Sequence, residues 1–320
     1  MLNNYDFKSI FKEELNNFIS YKRSLGYDYK TEISRLKYID NILFQLKLRY
    51  KSITKETFFE LTKRNDMKEA NYARQYGVTK DFCKFLISNE YKNIYYEDKK
   101  FNIINNYNPI IFNDDEIDIL FNTMDNYKNL HQNKKSYNLY YTYSIFFRLI
   151  YACGLRVSEG IKINIENVDF NENTIRIIDS KRHISRIVVF SDSLKDCLIH
   201  YINSLKLQKG LLFKNTRNNQ LCKNQLRKYY RNIIIQAQLN NKSHIHDLRH
   251  CFCNKAFNQM LENGYDENVV IVYLYKYMGH KTITETEYYL HFTDYNKQKI
   301  INNNDTLSKK LYEGVDLDNE

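Results

Sequence analysis

The chain has 320 residues, 43% of them hydrophobic, which is enough for packed cores and too many for a disordered polymer. It carries 48 Lys and Arg against 38 Asp and Glu, a formal net charge of +10. Its longest apolar runs are far too short to cross a bilayer, and Met1-Leu2-Asn3-Asn4 lacks the charged and apolar stretches of a secretory leader, so a soluble, cytoplasmic protein is expected.

Residues 7–89 read as four helices. Phe7 to Leu25 places Phe7, Ile10, Phe11, Leu15, Phe18 and Ile19 on one face and stops at Gly26. Thr31 is read as the N-cap of a second helix carrying Ile33, Leu36, Ile39, Leu43 and Leu46. A third starts near Thr54, and a fourth, about Lys68 to Ser88, presents Arg74, Lys80 and Lys84 on its surface. The stretch 90–112 loses periodicity and holds the only proline, Pro109, so a linker is expected there.

Residues 113–302 read as a second domain. A helix opens at Asn113 with an acidic first turn and runs to Met124; a long apolar helix, Tyr140 to Tyr151, ends at Gly154. Thr174–Ile178 and Arg186–Phe190 read as two strands joined by the polar turn 179–185. Leu194–Leu205 and Lys223–Gln238 read as helices, the latter displaying Arg227, Lys228 and Arg231. The fold class expected is mainly α with a small antiparallel sheet.

Charge and cysteines narrow the chemistry. Residues 1–112 hold 20 basic and 14 acidic groups (+6), 113–302 hold 26 and 19 (+7), and the polar tail 303–320 holds 2 and 5 (−3). Two positive parts suit a grip on a polyanion from two sides. Six cysteines in a chain this long are not a disulfide framework, and the close pair Cys251 and Cys253 has C-x-C spacing unlike that of zinc sites. Small, buried, reduced thiols and no metal are expected.

Four motifs follow one another: Gly154-Leu155-Arg156-Val157-Ser158-Glu159; Ser180-Lys181-Arg182; His246-Asp247-Leu248-Arg249-His250; and Met278-Gly279-His280, with Tyr289 nine residues on. Together they hold what metal-free phosphodiester cleavage needs. Arg156 and Arg249 can fork onto the non-bridging oxygens, which gain negative charge in the transition state. A Tyr phenol, with a pKa near 10, attacks only as its proton leaves, and His246 can relay that proton. Lys181 is the candidate acid for the departing 5′ oxygen, with Arg182 a competitor, and His280 orients a phosphate oxygen. Glu159, Asp247 and His250 are expected to buttress these groups. Thr284-Glu285-Thr286-Glu287 offers a capping box to a helix carrying Tyr288 and Tyr289, which would point about 100° apart, and periodicity does not choose between them.

These motifs resemble those of the tyrosine recombinase (phage integrase) superfamily. The resemblance covers residues 113–302, and residues 7–89 look like that family's helical core-binding domain. It implies catalytic residues Arg156, Lys181, His246, Arg249, His280 and Tyr289, the His-to-Tyr interval favouring Tyr289 over Tyr288. It also implies no cofactor and no metal. Asp179-Ser180-Lys181-Arg182-His183 departs from the family's frequent Gly-Lys-Gly, and 251–278 is longer than in the simplest members. The activity implied is site-specific recombination of double-stranded DNA at paired sites, through a 3′-phosphotyrosyl ester and a Holliday junction. A homo-tetramer on DNA in the nucleoid and a mobile-element origin go with it, and the tail 303–320 reads either as disordered or as a segment packed on a neighbouring protomer through Leu307, Leu311 and Tyr312. A type IB topoisomerase and a non-catalytic DNA-binding accessory protein are the alternatives. Residues proposed to touch DNA are Arg74, Lys80, Lys84, Arg182, Arg227, Lys228 and Arg231.

Overall fold

The computed structural model describes residues 5–63, 69–102, 107–130, 133–178, 185–280, 282 and 286. The chain divides into two compact units, Met1–Tyr107 and Asn108–Glu320, each with its own core.

In the first unit, α1 (Lys12–Ser24), α2 (Ile33–Gln45), α3 (Lys55–Thr62) and α4 (Glu69–Ser88) bury their apolar faces on one another. Phe18, Leu36, Phe58, Phe82 and Leu86 are fully shielded, and Phe18 meets Phe82 edge-on. Thr54 caps α3 by accepting the Thr57 N–H at 3.2 Å. Thr31 does not cap α2. Its hydroxyl donates to Glu32 at 2.8 Å, and Glu32 occupies the N-cap position. The expected linker is also shorter than its loss of periodicity suggested. Tyr91, Ile94, Tyr95, Tyr96 and Phe101 pack on the first core, Ile94 bridging to Ile53, whereas Ile110 and Phe112 belong to the second.

The second unit is built around α6 (Lys134–Cys153), whose Phe146, Phe147, Leu149, Ile150 and Cys153 are buried. Packed on it are α5 (Asp114–Asn129), α8 (Asp192–Ser204) and α10 (Ile245–Glu262). The α5 start is fixed by reciprocal bonds: Asn113 Oδ1 accepts the Glu116 N–H, and Glu116 Oε2 accepts the Asn113 N–H. Helix α6 ends at Gly154, where φ is +60° and a Cβ would stand 2.3 Å from the Phe252 ring, so only glycine fits. The four-residue α7 (Val157–Gly160) follows at once.

The sheet is an antiparallel meander of three strands: β1 (Val168–Asp169), β2 (Thr174–Ile177) and β3 (Arg186–Val189). The short β1 was not foreseen. Ile175 and Ile177 face the core together with Val188, while Ile187 and Val189 point outward. The α9 helix (Lys223–Gln236) buries Tyr229, Tyr230 and Ile233, and α11 (Glu267–Met278) closes the described part against α10. Cys83, Cys153, Cys251 and Cys253 are buried and Cys197 half-buried, but Cys222 is exposed. It stands at the α9 N-cap, where backbone N–H groups of Gln225 and Asn224 lower its pKa. No described helix is long and apolar enough to span a membrane.

Candidate active site

The site forms where three helix boundaries and one strand converge within the second unit. Gly154 turns the chain out of α6 so that Arg156 becomes the N-cap of α7. One turn later Glu159 reaches back, its Oε2 accepting the Arg156 backbone N–H at 2.8 Å and its Oε1 accepting Arg156 Nη1 at 2.9 Å. Arg186, the first residue of β3, closes a two-pronged fork on the same carboxylate, Nη1 to Oε1 and Nη2 to Oε2, each at 2.9 Å. Arg249, on α10, brings Nη1 within 3.8 Å of Glu159 Oε2.

The end of α11 supplies the other half. A helix leaves its last carbonyls without internal partners, and they carry partial negative charge. Here the Tyr275 and Lys276 carbonyls are met by the His280 and Gly279 N–H groups, with Gly279 left-handed at φ +62°. The next three carbonyls each meet a different arginine. Arg186 Nε donates to Tyr277 at 2.7 Å, Arg249 Nη2 to Met278 at 2.6 Å, and Arg156 Nη2 to Gly279 at 2.8 Å. Arg249 Nη1 also donates to the Gly154 carbonyl at 2.6 Å, joining the ends of α6 and α11.

Three guanidinium charges against one carboxylate leave the cluster at +2. Burial by itself would raise the Glu159 pKa, but the Arg186 hydrogen bonds and charge, the Arg156 N–H and Arg249 outweigh it and hold the carboxyl at about 2. Only Arg156 reaches solvent appreciably. Its side chain is 26% exposed, against 9% for Arg186 and 0% for Arg249. Such a cluster can hold an anion at the Arg156 face and keeps its charge at any physiological pH.

His280 follows the three carbonyls directly. It is buried, and its Nδ1 pairs with the Thr286 hydroxyl at 2.8 Å. Burial first, then the charges of Arg249 and Arg156, push its pKa down to about 3. Burial, with His246 and Arg249, does the same to His250, also to about 3. His246 sits one helical turn from His250, their rings edge-on with centroids 5.1 Å apart. Crowding, Arg249 and Arg156 lower its pKa as well, to about 4, against the opposing charge of Glu159. All three are neutral imidazoles near pH 7, so His246 can accept a proton.

Arg156, His246, Arg249 and His280 are brought together by the fold. Glu159 braces Arg156 and Arg186. Asp247 braces the start of α10, accepting the His244 N–H at 2.8 Å. Lys181, Arg182, Tyr288, Tyr289 and the tail 303–320 lie outside the described residues. Of the residues expected to face DNA, Arg74, Lys84, Arg227, Lys228 and Arg231 are exposed. Lys80 and Lys84 share Asp98, at 2.9 and 3.2 Å, and Arg227 donates to Asn224. Sequence reasoning missed Arg186. The available signal was strand alternation, which sets it on the same side as Val188.

The model of the phage integrase family matches residues 120–296, which contain this whole cluster. The chain belongs to that family. Among its relatives, tyrosine recombinase XerC of Halalkalibacterium halodurans is 32% identical over 157 residues, covering 46% of this chain and 49% of that protein. Tyrosine recombinase XerD of Staphylococcus haemolyticus is 30% identical over 149 residues, 45% of this chain and 48% of the relative. This integrase-family chain thus spans about half the length of the curated relatives it matches. Two solved structures share its fold. The XerH site-specific recombinase bound to palindromic difH substrate aligns with a TM-score of 0.64 at 18% identity, over 94% of this chain and 90% of that one. The Tn1549 transposon integrase in complex with transposon right end DNA aligns at 0.60 and 14% identity, over 91% and 98%.

Proposed function

We propose that this chain is a site-specific DNA recombinase that cuts and rejoins strands through a covalent 3′-phosphotyrosyl ester. The observation that carries the reading is the +2 cluster in which Arg156 and Arg249 stand beside His280 and His246, inside the segment that matches the family. Fixed guanidinium groups oppose the charge that builds on a phosphoryl group and require no proton bookkeeping.

In this reading the Tyr289 oxygen attacks the scissile phosphorus while His246 takes the phenolic proton. The phosphorus–oxygen bond to the 5′ carbon breaks, and Lys181 donates a proton to the departing oxygen. The ester stores the bond until a 5′-hydroxyl from the partner duplex attacks it and expels the tyrosine oxygen. Two such exchanges across a four-protomer assembly on paired sites pass through a Holliday junction. Arg74, Lys80, Lys84, Arg182, Arg227, Lys228 and Arg231 contribute backbone contacts, and the tail docks on a neighbouring protomer. The work is done on chromosomal or mobile-element DNA in the cytoplasm.

The test is a nicked suicide duplex, selected for binding by the chain from a randomised pool. Wild type should form an adduct that survives denaturation, without added metal. Tyr289→Phe should abolish the adduct and keep binding. Loss confined to Tyr288→Phe moves the nucleophile by one residue, and an adduct formed only with added magnesium overturns the reading.

A further inference from the structure

Arg186 belongs to none of the four motifs, yet its bonds go to the site. It opens β3 opposite Ile177, on the side where Val188 is buried, and its side chain is only 9% exposed. A guanidinium on the core face of a strand is expensive to desolvate unless it is fully paired. Here its fork takes both oxygens of Glu159 and its Nε takes the Tyr277 carbonyl. Glu159 in turn is the partner of Arg156 and lies 3.8 Å from Arg249.

We propose that Arg186 is a positioning residue of the strand-transfer site, one that absorbs the charge of Glu159 so that Arg156 and Arg249 stay cationic toward a phosphate. The inference rests on the recombinase reading above. Glu159 is needed to hold Arg156 at its N-cap, but its carboxylate would cancel one of the two positive charges that Arg156 and the buried Arg249 bring to the site. Arg186 restores the balance. Remove it, and the cluster falls from +2 to +1, while the carboxylate is released toward Arg249. The phosphoryl group gains a second negative charge as it becomes pentacoordinate, so the loss falls on the transition state more than on duplex binding. A different role is conceivable from sequence position alone: Arg186 lies five residues after Lys181 and could act by holding the acid. The two roles separate by experiment.

Single-turnover cleavage is measured on the selected nicked duplex, and on the same duplex with sulfur replacing the 5′ bridging oxygen, a leaving group that needs no proton. Arg186→Gln should cleave about 10²-fold more slowly on both duplexes, with binding within about twofold of wild type. The double variant E159Q/R186Q, which returns the cluster to +2, should cleave at least about tenfold faster than R186Q. Wild-type cleavage by R186Q overturns the inference. So does a defect that vanishes on the sulfur duplex, which assigns Arg186 to the acid, and so does a double variant no faster than R186Q. Thermal melting checks folding of each variant. If R186Q does not fold, R186K decides: it loses the fork but keeps the cluster at +2, and should cleave within about tenfold of wild type with unchanged binding. A loss of about 10²-fold by R186K would then refute the inference. Failure of the wild type itself to form an adduct removes the recombinase reading and this inference with it, whereas an adduct from wild type confines any failure to Arg186.

Discussion

Arg249 and Arg156 occupy one cluster under different conditions. Arg249 is wholly buried and ties the Gly154 carbonyl to that of Met278, whereas Arg156 is partly exposed. Arg249→Ala strands buried carbonyls and leaves Glu159 short of a cation, and should destabilise the fold by about 3–5 kcal/mol in urea unfolding. Arg156→Ala should cost only about 1 kcal/mol by the same measurement, while lowering cleavage by about 10²–10³. Acid should act in two windows. His250 and His280 stay neutral in the native state down to about pH 3, while unfolded imidazoles take protons from about 6.5, so stability falls as pH drops below about 6.5. Glu159 titrates near 2 when folded against 4.5 when not, so its share is intact above about 4.5 and is lost as pH falls toward 2. Thermal melting from pH 7 to 3 should show both declines, and Glu159→Gln should flatten only the lower. Arg156, His246, Arg249 and His280 were legible because the types and spacing that phosphoryl chemistry needs are local in sequence. Arg186 was not, because Arg-Ile-Val-Val reads as an ordinary strand until its register shows the arginine on the core face.

Element ends with strong signals are legible, and the others are not. Asn113 and the acidic turn after it announce the start of α5, and Gly154 the end of α6, but α5 runs on past Met124 to Asn129 and α6 starts at Lys134 rather than Tyr140. Thr31 misled, since a hydroxyl beside Glu32 finds a side-chain acceptor before it finds the helix. The stretch after α4 read as linker because Tyr91, Ile94, Tyr95 and Phe101 pack without helical period, as isolated anchors on the first core. Gly154 has the strongest consequence of these element ends. Gly154→Ala meets both the left-handed φ and the Phe252 ring, so it should destabilise by about 2 kcal/mol or more. It should also displace Arg156, two residues on, so that cleavage falls further than melting temperature alone would predict. Gly154→Ala with Phe252→Ala should recover stability more than activity.

For the molecule as a whole, the division of charge matters more than its sum. The first unit, Met1–Tyr107, carries +6 and the second +4, the acidic tail offsetting part of its surplus. If both units contact phosphates, duplex affinity should fall linearly in log–log with salt, steeply enough to report several displaced counterions. Neutralising Arg227, Lys228 and Arg231 together should reduce that slope by about two to three, in titrations from 50 to 200 mM salt. Substituting Arg249 should leave the slope unchanged, because a shielded guanidinium releases no counterion. The three arginine bonds at the end of α11 tie residues far apart along the chain: Arg156 to Gly279 across 123 positions, Arg186 to Tyr277 across 91, and Arg249 to Met278 across 29. Each awaits the carbonyl that comes later. A chain emerging from the ribosome has basic groups almost from the start, yet this arginine cluster stays unassembled until residue 279 is out and α11 has turned back.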